Sequence, residues 1–337
     1  MKDEFDFIRA LRERASVSPS VKSSVTGIGD DAAVFQAGPG KQSVITTDLL
    51  VEDIDFRRTT MPPHLLGHKA LAVSLSDVAA MGGRPRWSLI SIGIPADVWQ
   101  TDFVDRLYSG WFELANRYDV QLIGGDTSRT VEKIVIDSIV LGECLANHAV
   151  KRSGAKPGDQ IFVTGSLGAA AAGLRLVKRG AHLAGQKWDE EDSQKLDHVL
   201  LRQLRPEPRV GWGIVLGEER LASSMIDISD GLSSDLNHLC ESSGVGALID
   251  SSLLPIDRQV VELCGRRALD PLQLALHGGE DFELLFTVRP GDVSRLPRRV
   301  DGTRITRIGE IRVQDAGVKI SEGARIWELN PGGWKHF

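Results

Sequence analysis

Only three cysteines occur in the 337 residues, Cys144, Cys240 and Cys264, and no two form a C-x-x-C pair. That scarcity excludes a thiolate metal framework and a disulfide scaffold; three buried thiols in a reducing compartment are expected. No apolar run approaches the roughly 18 residues that a membrane-spanning helix needs, so no membrane partner is expected. Positive charge is not in excess either. The net charge is −6, which argues against nucleic acid as a partner because nothing is left over to neutralise its phosphates. The first segment, "MKDEFDFIRALRERA", is charged throughout. It reads as an amphipathic helix with Phe7, Ile8 and Leu11 inward, not as a signal peptide, and the expected location is cytoplasmic.

Several catalytic signatures are missing as well. No G-x-S-x-G elbow and no H-E-x-x-H is present. His64 and His68 stand four apart without a third ligand and read as a solvated helix face. "GPGKQS" lacks both the spacing of a Walker A loop and its hydroxyl residue directly after the lysine. "VTGSLGAAAAG" (163–173) is the best dinucleotide-like run, but no acidic strand end follows about twenty positions on. Close strand–helix packing accounts for its small residues more simply.

What is present is an α/β pattern. Strand-like runs lie at 43–51, 88–94, 120–125, 133–144, 160–165, 224–229, 246–251, 283–288 and 304–311. Helical patterns separate them at 62–82, 101–118, 168–179, 189–204, 208–219 and 230–244. The helices do not keep strict βαβ time, so a mixed α/β (α+β) sheet is expected rather than a doubly wound parallel one. The length allows two domains, and the polar, Pro/Gly-marked "NHAVKRSGAKPGD" (147–159) divides them. An N-terminal metal- and nucleotide-binding domain over 1–150 and a C-terminal α/β domain over 151–337 are expected.

Aspartates recur where apolar strands and helices end, beside glycine or a hydroxyl residue. Asp30 and Asp31 lie in "GIGDDAAVF", Asp48 closes "VITTD", Asp77 sits in "AVSLSDVAAMGG", and Asp126 follows "LIGG". Asp227 and Asp230 frame "IDISDG", and "GGEDFE" carries Glu280, Asp281 and Glu283. One such site is ordinary turn or cap chemistry, and Asp230 reads equally well as the N-cap of the helix after it. Six together point to carboxylates converging on a counter-charge. Hard oxygen ligands without His or Cys clusters indicate magnesium or manganese, which would in turn grip a substrate's phosphates. The pair in "GIGDDAAVF" then binds phosphate through a cation, since two carboxylates facing a pyrophosphate directly would repel it.

The ordered set "GIGDDAAV", "TTDLLVEDIDF", "KALAVSLSDVAAMGG", "QLIGGDTSR", "RSGAKPGDQIFVTGSLG", "IDISDGLSSDL" and "HGGEDFELLF" resembles bacterial thiamine-monophosphate kinase, within the aminoimidazole-ribonucleotide synthetase superfamily. The resemblance implies ATP-dependent phosphorylation of thiamine monophosphate to thiamine diphosphate, with several Mg2+ ions. It also implies a homodimer formed through strands of the N-terminal domain, and a C-terminal domain that covers the nucleotide site. Asp31, Thr46, Thr47, Asp48, Asp77, Asp126, Asp227 and Asp230 are implied metal ligands. Tyr108, Gly125, Asp126, Arg152 and Ser229 are implied nucleotide contacts. Asp48, Asp126 and Arg152 are implied to carry catalysis, and Asp55, Glu280 and Trp334 to hold the thiamine substrate. Many relatives have histidine where this chain has Asp55. A phosphate monoester acceptor, already largely dianionic near neutral pH, needs no general base, and none is evident. Two rivals stand beside this reading. A different synthetase of the superfamily would act on another acceptor, and a non-catalytic nucleotide or metal sensor would show no turnover.

Overall fold

The computed structural model describes residues 25–26, 30–183, 190–264 and 269–333. The predicted helix at the N-terminus and Trp334 lie outside these. Two mixed sheets form the frame. The first contains β1 (Val25–Thr26), β2 (Ala33–Gly38), β3 (Lys41–Val51), β4 (Arg84–Pro95), β5 (Gln121–Thr130) and β6 (Val135–Leu145). Their order is β1-β2-β3-β6-β4-β5, and only the β4–β5 pair is parallel. Alternation along β6 decides its two faces: Ile136, Ser138 and Val140 are buried, whereas Val135, Asp137 and Ile139 are half-buried.

The buried face packs on α1 (Pro63–Ala80), which starts on a proline suited to the first turn. Almost all of α1 is buried, so it has no polar stripe to offer solvent. A second layer follows in α2 (Ala96–Trp99) and α3 (Phe103–Arg117). A Cβ at Gly67 would sit 1.8 Å from Leu107 O, and one at Gly110 would sit 1.7 Å from His64 O. The α1–α3 crossing therefore depends on glycine on both helices.

The second sheet comprises β7 (Gln160–Thr164), β8 (Ala222–Ile228), β9 (Val245–Asp250), β10 (Glu283–Val288), β11 (Arg299–Val300), β12 (Thr303–Val313), β13 (Val318–Glu322) and β14 (Arg325–Glu328). The order is β14-β13-β9-β12-β7-β10-β8, with β11 on β12 and only β13–β9 parallel. Among the described residues six helices accompany it: α4 (Ala169–Lys178), α5 (Glu190–Leu204), α6 (Val210–Glu218), α7 (Leu232–Ser243), α8 (Arg258–Cys264) and α9 (Pro271–His277). One apolar cluster runs from Val44, Leu71 and Ile136 of the first sheet layer to Phe162, Trp212 and Phe286 of the second. A second cluster lies under the other face, on Ile161, Val163, Ile226, Leu236 and Leu285. Both faces of the second sheet are thus covered, which is why "ELLFTV" is wholly buried, with apolar residues on both faces.

All nine strand-like runs are strands and the sheets are mixed, as expected. The three cysteines are buried and free. One reading is corrected. His68 is not on a solvated face: it is 1 % exposed, and its Nε2 lies 2.8 Å from Pro206 O. Histidine there satisfies a buried carbonyl from inside the helix-packed core.

Candidate active site

Three elements bring carboxylates to one point. Asp31 comes from the loop before β2, Asp77 from the last turn of α1, and Asp227 from the end of β8. Carboxylate oxygens of the three lie within 4.8 Å of one another. Asp48 points inward from β3 to the same helix, where Ser74 Oγ donates to its Oδ2 at 2.7 Å. Thr46 Oγ1 donates to Asp77 Oδ2 at 2.5 Å, and Ser76 Oγ to Asp227 Oδ2 at 2.6 Å. Hydroxyls on α1 (Ser74, Ser76) and on β3 (Thr46) thus fix the rotamers of the acids around them.

Neutral donors do not balance the charge. Burial pushes Asp48 up to about 6 and Asp227 up to about 8, with Asp31 adding to the shift at Asp227. Asp77 is raised well above the ordinary carboxylate value by burial and then by Asp48, Asp227 and Asp31. Among the described residues the cation that reaches the cluster is Arg152, whose guanidinium donates to Asp31 at 2.8 and 3.2 Å. Burial opposes its charge, but Asp31 holds its pKa above the ordinary value. The neighbouring aspartates differ in use: Asp30 accepts from the backbone N–H of Arg152 at 2.7 Å, anchoring the loop that aims Asp31. A buried set of hard oxygens, too negative for its own surroundings, suits Mg2+ or Mn2+.

Other expected ligands are placed elsewhere. Thr47 turns to the opposite face of the first sheet, donating to Asp137 at 2.5 Å. Asp126 lies in register with Ser91, Asp137 and Leu49, on that same open face. Its strand is three strands from β3, roughly 14 Å at ordinary strand spacing. Gly125 beside it leaves no room for a side chain, since a Cβ would stand 2.0 Å from Ile90 O. Leu49 and Ile123 are 61 % and 57 % exposed in this region. Tyr108, on α3, is half-buried and its ring lies tilted by 33° against Phe112. A single copy of the chain does not bring Thr47, Asp126 or Tyr108 to the carboxylate cluster.

The loop that carries Glu280 and the C-terminal tail meet around the start of α7. Gly231, not Asp230, is the N-cap of α7, and no side chain caps it. Glu280 N donates to Ser229 O at 2.7 Å, which ties the "GGEDFE" loop to "IDISDG". The tail folds back to the same place: Gly332 N and Gly333 N donate to Ser233 and Ser234 hydroxyls at 3.2 and 3.1 Å. Within "GGEDFE" the acids divide. Asp281 accepts from Gly168 N and Ala170 N, Glu283 pairs with Arg202 and Arg209, and Glu280 pairs with Lys69 and Gln203. Asp55 accepts from Val51 N at 2.7 Å and closes its own turn. Sequence reasoning missed Ser74, Ser76 and Lys69. Their signal was polar residues inside the apolar run "GHKALAVSLSDVAAM".

Two matched sheets around buried aspartates define a class. The models for AIR synthase related protein match this chain over residues 29–144 for the N-terminal domain and 156–320 for the C-terminal domain. The chain is 38% identical over 340 aligned positions to thiamine-monophosphate kinase of Bacillus subtilis (strain 168), covering 99% of both chains. It is 39% identical to thiamine-monophosphate kinase of Escherichia coli (strain K12), covering 92% of this chain and 91% of that one. The chain therefore belongs to the AIR synthase related family and, within it, to the thiamine-monophosphate kinases. A solved structure described as AaThiL complexed with AMPPCP and TMP superposes with a TM-score of 0.84 at 33% identity, covering 99% of this chain and 97% of that one. The hydrogenase maturation protein HypE of E. coli, at 18% identity and a TM-score of 0.66, shares the fold alone.

Proposed function

We propose that this chain transfers the terminal phosphoryl group of ATP to thiamine monophosphate, giving thiamine diphosphate. The observation that carries the reading is the buried Asp31–Asp77–Asp227 cluster, with Asp48 beside it, in a chain of this family. Thr46, Thr47, Asp126 and Asp230 complete the proposed Mg2+ ligand set, with Asp126 and Thr47 acting from the open sheet face. Bound Mg2+ supplies charge neutralisation for two polyanions that would otherwise repel each other. The residues themselves position: Arg152 holds Asp31, and Gly125, Ser229 and Tyr108 contact the nucleotide. Asp55 and Glu280 take the thiamine end, joined by Trp334, the residue after the pinned Gly333. No side chain has to remove a proton, because the attacking phosphate oxygen is already ionised.

The open face of the first sheet, with exposed Leu49 and Ile123, suits a second copy of the chain, and we propose a homodimer there. We place the domain boundary between residues 150 and 151, between the last strand of one sheet and the first of the other. The protein would work in the cytoplasm, where ATP is supplied. The test is ADP release from ATP by the purified protein with thiamine monophosphate or aminoimidazole-ribonucleotide precursor as acceptor. Release that requires thiamine monophosphate and a divalent cation is expected. Release with the ribonucleotide instead, or none with either, would refute the reading.

A further inference from the structure

Lys69 is the anomaly of α1. Its side chain is 1 % exposed, on a helix whose neighbouring residues Leu66, Ala70, Leu71 and Val73 are buried and apolar. A buried ammonium requires an anion. The anion is Glu280, whose Oε1 lies 2.5 Å from Lys69 Nζ. The other carboxylate oxygen, Oε2, accepts from Gln203 Nε2 on α5; Gln203 is itself 4 % exposed. Glu280 is thus held from two sides by residues that solvent hardly reaches, while its own side chain stays 29 % exposed.

Its backbone is also constrained. Glu280 has φ +65, in the left-handed region that a residue with a side chain seldom occupies, and its N–H is tied to Ser229 O. The two flanking acids show what a purely structural role looks like in this loop. Asp281 is consumed by backbone N–H groups of α4, and Glu283 by two arginines. Of the three, Glu280 alone keeps exposed side-chain surface, and a carboxylate oxygen that accepts one contact retains a lone pair.

We infer that Lys69 and Gln203 are positioning residues for the acceptor: they hold the Glu280 carboxylate at a fixed angle beside the Ser229–Asp230 loop, where it receives the cationic or N–H-bearing rings of the substrate. This rests on the acceptor reading proposed above. Lys69 touches no substrate and acts only through Glu280. A carboxylate free to rotate into solvent would lose ordering entropy on every binding event; one clamped at both oxygens does not.

The experiment is a double-mutant cycle on the full-length protein, reading KM for thiamine monophosphate and for ATP separately. Lys69→Met should raise KM for thiamine monophosphate about ten-fold and leave KM for ATP within about two-fold. In a Glu280→Gln background the same change should add less than about two-fold, because the residue it acts through is already altered. Lys69→Arg, which keeps the charge, should recover part of the loss. The doubly neutral protein leaves no buried charge unpaired, and so reports the coupling even if Lys69→Met alone folds poorly. Equal changes in both KM values, or effects of Lys69→Met and Glu280→Gln that multiply, would overturn the inference while leaving the kinase reading intact. A parent protein without turnover on thiamine monophosphate would overturn both.

Discussion

Asp227 and Glu283 are both buried carboxylates on neighbouring strands, paired in register between β8 and β10 at Glu283 and Ile228. Their surroundings treat them in opposite ways. Burial alone would raise Glu283, but Arg209 and Arg202, with the Thr164 hydroxyl, hold it down at about 2. Burial raises Asp227 to about 8, and Asp31 adds to that rise. One acid brought its own cations into the core. The other sits among acids, with serine and threonine hydroxyls for company and one arginine that is bound to Asp31. The difference separates a structural ion cluster from a site that needs a cation from solution, and exposure does not reveal it.

Neutralising an acid of the uncompensated cluster should act first on catalysis. Asp48→Asn and Asp126→Asn remove a charged oxygen ligand while nearly preserving shape, and turnover should fall by orders of magnitude with the fold retained. Assay at saturating Mg2+ checks this; near-normal turnover in both would misplace the site. Asp126 sharpens the point, since it reaches the cluster only if the open sheet face is part of the site.

Glu283→Gln should act on stability instead. It strands two half-buried arginines beside a buried position, and truncating one partner of a buried ion cluster costs about 3–5 kcal/mol. Chemical denaturation reads this directly. A loss below about 1 kcal/mol, the ordinary worth of an exposed pair, would mean that the cluster is no clamp.

The next effect is pH dependence without metal. Asp48 and Asp227 bind protons more tightly folded than unfolded, with values of about 6 and 8 against an ordinary 3.8. Their contribution to stability is therefore complete below about pH 4 and is lost as pH rises through 6 and then 8. The metal-free protein should melt progressively lower over that window, and Mg2+ should restore more stability at pH 8 than at pH 5. A metal-free melting temperature that is flat from pH 5 to 8 would contradict the uncompensated charge.

The smallest effect is expected at Asp55. One of its oxygens is committed to Val51 N, which leaves one for the acceptor. Asp55→Ala should raise KM for thiamine monophosphate severalfold with KM for ATP unchanged. An equal change in both would reduce Asp55 to a turn residue.

Much of this was legible in the sequence, for identifiable reasons. Strands such as "VITTDLLV" and "KIVIDSIVLGEC" carry enough β-branched residues to declare themselves, whereas β1, β11 and β14 have two to four residues and too little periodicity. The short helices α2, α8 and α9 escaped for the same reason. Asp31, Asp77 and Asp227 were marked by their places at element ends, whereas Asp48, read as closing a strand, lies within β3. Sequence spacing could not assign faces across a sheet, so Thr46 and Thr47 read alike although one turns to Asp77 and the other to Asp137. Nor could it sort Glu280 from Asp281 and Glu283, because Lys69, Gln203 and Arg202 come from distant segments. His68 misled because periodicity reports amphipathic helices and α1 is buried on nearly every side.

The melting temperature of Asp227→Asn against the parent at pH 8, with and without Mg2+, decides whether the cluster awaits a cation. An uncompensated acid predicts that the metal-free variant melts above the parent, because a repelling charge is gone while the Ser76 hydroxyl still finds an acceptor. It also predicts that Mg2+ raises the parent far more than the variant. A variant that melts below the metal-free parent, with Mg2+ shifting both equally, would show that Asp227 is as structurally committed as Glu283 and that the cluster awaits no cation.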